Sequence, residues 1–152
     1  MDQITINVTE TVENVTVQVT EGGYLPRYES WLQEDVSIGE NNEWTQGPHL
    51  TLSPGIYHII AQVILKNSST GITKYYSKIS GIADYNIAVD RGLNYSGYDV
   101  TLVMNAIVAI SEEETVAVFA AVSNQDNAII VSIPSWGTSV RKATGIMAIK
   151  IG

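Results

Sequence analysis

The chain has 152 residues, enough for one domain with a short appendage, and 45% of them are apolar, so it can fill a core. Only 16% are charged, and the net charge of −8 is concentrated, with nine acids against Arg27 alone in residues 1–47 and seven acids against seven bases beyond. That balance argues against nucleic acid as a partner, which needs Lys/Arg patches; the lack of cysteine excludes disulfides and thiolate chemistry and disfavours zinc.

The first residues, Met1-Asp2-Gln3, lack the basic start and apolar run of a signal peptide. No stretch approaches about 18 apolar residues, so no membrane insertion is expected, and synthesis in a cytoplasm is. Ile4, Ile6 and Val8 alternate with polar residues, and Val15, Val17 and Val19 do the same. Period-two alternation rich in β-branched side chains predicts two half-buried strands. A lone hairpin is not stable, so this arm, residues 1–21, is expected to lie against something. Its acidity suits either a basic protein surface or plain solubility.

Gly22-Gly23 closes the arm, and residues 22–35, with Tyr24, Pro26, Tyr28 and Trp31, read as a linker with one helical turn. A head domain is expected over 36–152. Pro48 and Ser53-Pro54-Gly55 flank a short strand at Leu50 and Leu52, which leaves His49 in a loop. In the run 55–66, Tyr57, Ile59, Ala61, Val63 and Leu65 share one face, and His58, Gln62 and Lys66 give the other a polar share. Asn67 to Gly71 reads as a turn, and Thr73 to Tyr76 opens the next strand. Further strands are expected near 82–89, 99–110, 115–122, 128–133 and 145–151. No segment has a helical period, so the fold class is all-β, a sandwich or barrel.

Two strands are apolar on both faces. Around 100–110, Leu102, Met104, Ala106, Val108 and Ile110 face one way, and Val103, Ile107 and Ala109 the other. Around 115–122, Val116, Val118, Ala120 and Val122 oppose Ala117, Phe119 and Ala121. A sheet with one solvated face does not need this. Val103, Ile107, Ala109, Ala117, Phe119 and Ala121 are therefore expected to meet further copies of the chain. The alternative cover is the N-terminal arm folded back.

No catalytic constellation is legible. The two histidines, His49 and His58, suit hydrogen-bonded surface roles, and no Gly-x-Ser-x-Gly elbow appears. Glu112-Glu113-Glu114 reads as a solvated turn without the interleaved oxygen ligands of a calcium loop. No Gly-rich phosphate loop is present. An enzyme is not expected, nor a cofactor or a metal. Tyr75, Tyr76, Tyr95, Tyr98 and Trp136 lie at or near strand ends, where aromatic rings stack on sugars or anchor interfaces; the alternative is strand-end packing.

The order of Trp44 to Pro48 (Trp-x-x-Gly-Pro), Leu52 to Tyr57 (Leu-x-x-Gly-x-Tyr), Gly97 to Val100 (Gly-Tyr-Asp-Val) and Thr144 to Ile151 (Thr-Gly-Ile-Met-Ala-Ile-Lys-Ile) resembles the jelly-roll heads of the tumour necrosis factor and complement-subcomponent superfamily. The resemblance covers about 36–152 and implies a sandwich assembled as a tight homotrimer. Thr144 stands where that family often has an aromatic. The opening ITINVTETVENVTVQVTE also resembles the starts of small virion proteins of tailed, crAss-like phages of gut Bacteroidota. That resemblance implies a head-fibre, tail-fibre or decoration protein located in the virion and made in the host cytoplasm. Its expected partners are other virion proteins, reached through Ile4, Ile6, Val8, Val15, Val17 and Val19, and host surface polysaccharide. The competing expectation is a secreted or surface lectin-like module.

Overall fold

A computed structural model describes residues 5–11, 14–20, 25–80, 87–93, 99–133 and 143–152; for 5–11, 14–20 and 87–93 the description covers the backbone. Twelve strands and no helix occur among these residues: β1 (Thr5–Thr11), β2 (Asn14–Thr20), β3 (Arg27–Trp31), β4 (Val36–Ser37), β5 (Thr45–Leu52), β6 (Gly55–Lys66), β7 (Thr73–Ser80), β8 (Ile87–Leu93), β9 (Val100–Ile110), β10 (Glu114–Val122), β11 (Ile129–Ile130) and β12 (Gly145–Lys150). Every pairing is antiparallel. The larger sheet runs β1-β2-β3-β12-β6-β11-β4, with β9 on the other side of β6, and the smaller runs β5-β10-β7-β8.

The core lies between the sheets and follows from alternation. From the larger sheet, Tyr57, Ile59, Ala61, Val63 and Leu65 of β6 point inward with the even-numbered residues of β9 from Val100 to Ile110. From the smaller sheet, Leu50, Leu52, Tyr75, Ile79, Val116, Val118, Ala120 and Val122 meet them. Each fully buried Val, Leu or Ile stabilises by about 1.5–3 kcal/mol. A one-residue slip of β9 on β6 would turn that whole set to the outside, which fixes the eleven-pair register from Gly55↔Ile110 to Leu65↔Val100.

Two expectations change. Residues 27–31, expected within a linker, form β3, which pairs with β12 from Gly145↔Trp31 to Ile149↔Arg27. Glycine is required at 145, because a methyl group there would collide with the Trp31 ring, Cε3 first. The hairpin β1–β2, expected to lie against something, continues the same sheet through Val19↔Arg27. Pro48 and His49 lie inside β5, not in a loop; an edge strand tolerates proline, and the β5–β10 register shifts between Ala117 and Phe119 next to it.

Thr144, where an aromatic was the pattern, is fully buried. Its Oγ1 accepts from the Ile64 N–H at 3.0 Å and donates to the Val131 carbonyl at 2.6 Å, tying β6 to the segment after β11. The turn after β6 is held by buried Asn67: Oδ1 accepts from the Asp126 N–H at 2.9 Å and Nδ2 donates to the Asn124 carbonyl at 2.6 Å.

Candidate functional site

The outward faces of the two sheets are on opposite sides of the sandwich, and they differ. On the larger sheet the outward positions of β9 are Thr101, Val103, Asn105, Ile107 and Ala109, all exposed. Across β6, Ile107 pairs with His58, Ala109 with Ile56, and Val103 with Gln62. Beyond β6 the face continues onto β12, with Ile149 beside His58 and Met147 beside Ile60. Ile107 is 70% exposed, Val103 55% and Ile56 44%, while Ile60, Met147 and Ile149 are half-buried. The result is an apolar stripe across three strands, interrupted by His58, Gln62 and Asn105 and ending at the Arg27–Glu29 ion pair (2.7 Å) on β3.

The six residues expected to share one interface do not share a face. Val103, Ile107 and Ala109 lie on the stripe, but Ala117, Phe119 and Ala121 belong to β10 in the other sheet and point the opposite way. Ala117 and Ala121 are also covered by their own chain. Ala117 sits between His49 and Ser80, and Ala121 beside Tyr76, so longer neighbours stand above the methyl groups.

On the smaller sheet the outward side carries an aromatic and basic cluster. Lys78 places its Nζ 4.6 Å from the Trp44 ring centroid and 5.4 Å from that of Phe119. Trp44 meets Tyr76 edge-on at 6.5 Å. Trp44 is 39% exposed; Tyr76, Lys78 and Phe119 are half-buried. Thr51 and Thr115 join hydroxyls at 3.2 Å on the same face. From the sequence Trp44 was read only as the start of the Trp-x-x-Gly-Pro motif, and Lys78 was not singled out. The usable signal was parity: Lys74, Tyr76 and Lys78 alternate with buried Tyr75, Ser77 and Ile79.

Of the expected ligand contacts, Tyr76 is on this outward cluster. Tyr75 points into the core and is 1% exposed, and burial raises the pKa of its hydroxyl, with the Asn67 hydrogen bond opposing the shift. Tyr95, Tyr98 and Trp136 lie outside the described residues, as do the side chains of Ile4, Ile6, Val8, Val15, Val17 and Val19. His49 and His58 occupy outward faces of different sheets and cannot act together. Glu112 and Glu113 are exposed in the turn as expected, whereas Glu114 is buried at the start of β10. Among the described residues no three His, Asp or Glu side chains are grouped to hold a metal ion, and no helix is long and apolar enough to cross a membrane.

Two packed antiparallel sheets, with the chain passing between them at β4–β5, β5–β6, β6–β7, β8–β9, β9–β10 and β10–β11, define a jelly-roll sandwich. No protein-family model and no curated protein matches the chain. Solved structures overlap with it. The globular domain of zebrafish complement 1qA protein aligns over 84% of this chain and 98% of its own, with 9% identity and a TM-score of 0.45. A structure of the Gx strain of infectious bursal disease virus aligns over 98% of this chain and 38% of its own, with 11% identity and a TM-score of 0.46. TmCBM61, solved in complex with β-1,4-galactotriose, aligns over 97% and 83%, with 12% identity and a TM-score of 0.33. These TM-scores are below 0.5, and what those proteins bind or build does not pass to this chain.

Proposed function

We propose that the chain is a structural protein of a phage particle, a homotrimer sealed along the outward face of its larger sheet and held to neighbouring virion proteins by the β1–β2 hairpin. The observation that carries the reading is the stripe of Ile107, Val103 and Ile56, three large apolar side chains left in water on adjoining strands. A closed ring of identical subunits removes such a stripe from water without a second gene product. The hairpin extends the sheet through β3 and belongs to the acid-rich third of the chain, which suits docking on a basic neighbour. The phage assignment rests on the resemblance of the opening residues.

Mass measurement in solution tests assembly: three subunits are expected, and a monomer across the accessible concentration range refutes it. Deleting residues 2–21 tests the arm: the shortened protein should still form trimers but fail to enter particles. Unchanged incorporation removes the arm from the proposal. The alternative reading, a lectin-like module, is favoured by the aromatic cluster around Lys78 on the smaller sheet. It requires saccharide affinity that depends on those side chains.

A further inference from the structure

The outward face of the smaller sheet combines three properties in one place. It has rings: Trp44 and Phe119 flank the Lys78 ammonium, and Tyr76 meets Trp44 edge-on. It has a low floor: Ala117, between His49 of β5 and Ser80 of β7, and Ala121, beside Tyr76 of β7, are both buried. Its charge opposes that of the chain as a whole. At the described outward positions of β5, β7 and β10 the basic side chains are Lys74, Lys78 and His49 and no Asp or Glu occurs, in a protein of net charge −8. The backbone register sets one acid, Asp90 of β8, opposite Tyr76.

The contacts of Lys78 decide what this face suits. Its ammonium is held against two rings and makes no ion pair with a carboxylate whose side chain is described. A ring face draws a cation but supplies no acceptor lone pair, so the Lys78 N–H donors keep their capacity for a ligand oxygen. Tyr and Trp ring faces present an apolar, electron-rich surface to the C–H side of a pyranose ring while their polar tips stay wet. A carboxylate set on a sugar ring would meet both features at once.

We infer that the outward face of the smaller sheet, centred on Trp44, Tyr76 and Lys78, binds an acidic polysaccharide of the uronate class, with Lys78 and Lys74 on the carboxylates and the aromatic side chains against the sugar rings. The inference deepens the saccharide side of the functional reading and rests on it. It does not depend on trimer formation, because this face points away from the apolar stripe.

The test is gel retardation of the full chain by polygalacturonate, alginate and hyaluronan, beside methyl-esterified pectin, dextran and polyglutamate. At least one uronate polymer should retard the protein, less so as salt rises. Lys78→Gln and Trp44→Ala should each weaken that retardation about tenfold, the scale of one charged hydrogen bond. Lys74→Gln, at an exposed position, decides the matter should either of the others fail to fold, and should weaken binding in the same direction. Failure of all three uronate polymers overturns the inference. So does equal retardation by the esterified polymer or by polyglutamate, or unchanged retardation in the folded variants. The mass of the same samples, read separately, reports on assembly alone.

Discussion

Ile107→Glu separates assembly from folding, because the side chain is in water in the single subunit. Ile107 is 70% exposed on the outward face of β9, beside His58. Full burial of such a side chain contributes about 1.5–3 kcal/mol, so the share an interface still gains at this position is about 1–2 kcal/mol per subunit. Three symmetry-related copies make that about 3–6 kcal/mol per trimer, a factor of about 10² to 10⁴ in the association constant. A carboxylate adds the cost of leaving water, so the loss is at least this large. The subunit's own fold loses less than about 1 kcal/mol, the range of an exposed strand substitution. Sedimentation across a dilution series, with thermal melts of the same samples, reads both effects. The wild type should run as three subunits with a melting temperature that rises with concentration. The variant should run as one, with a melt independent of concentration. Thr51→Glu, on the exposed opposite face, should leave the mass unchanged. A wild-type monomer, or an Ile107→Glu protein that remains trimeric, refutes the reasoning.

Gly145→Ala should cost about 1–3 kcal/mol in denaturant unfolding, since its methyl group overlaps the Trp31 ring; Trp31→Ala in the same chain should restore part of the loss. Thr144→Val keeps the shape but strands the Ile64 N–H and loses the bond to the Val131 carbonyl, a loss of about 1–3 kcal/mol that Thr144→Ser should largely avoid. Tyr28 and Tyr75 both have raised pKa values, chiefly from burial, with Tyr57 reinforcing the shift at Tyr28. A folded pKa above the unfolded one stabilises fully below about pH 10 and is lost as pH rises through the folded value. Stability should therefore fall above about pH 10, and Tyr75→Phe should flatten that fall in a pH series of unfolding midpoints; an equally steep fall in the variant would remove Tyr75 as its source.

Much of the fold was legible because alternation reports which residues of one strand share a side. It gave the inward set of β6 and the two-sided character of β9 and β10. Alternation does not say which sheet a strand joins. Val103 and Ala117 therefore looked like neighbours on one surface, although β9 pairs with β6 and β10 with β5 and β7. Residue type alone does not rank Tyr75 and Tyr76; the parity that sets Tyr76 with Lys74 and Lys78, and Tyr75 with Ile79, separates the outward ring from the inward one. β3 was hidden for another reason. Arg27-Tyr28-Glu29-Ser30-Trp31 has neither a run of β-branched residues nor a flanking turn, and its strand geometry comes from β12, which has Gly145 where Trp31 crosses. Pro48 concealed the start of β5, since a proline inside a strand is tolerated only where an edge leaves its missing N–H unneeded.

The segregation of the two outward faces is what makes the assembly and ligand proposals compatible. An apolar stripe must be covered, and a basic aromatic face is useful only if it is left open. With both on one sheet, closing a trimer would bury Lys78 and its neighbours, at the price of taking unpaired ammonium groups out of water. In this sandwich the stripe belongs to β6, β9 and β12, and the rings and lysines to β7 and β10 with Trp44 just before β5. Sealing the first face leaves the second pointing outward from every subunit. The N-terminal acids of the hairpin precede β3 in the larger sheet, whereas Lys74 and Lys78 lie on β7 of the smaller. An acidic arm directed to a basic neighbour and a basic face directed to an anionic polymer then repel rather than compete for each other's partners, which is how charge confers specificity where it adds little affinity.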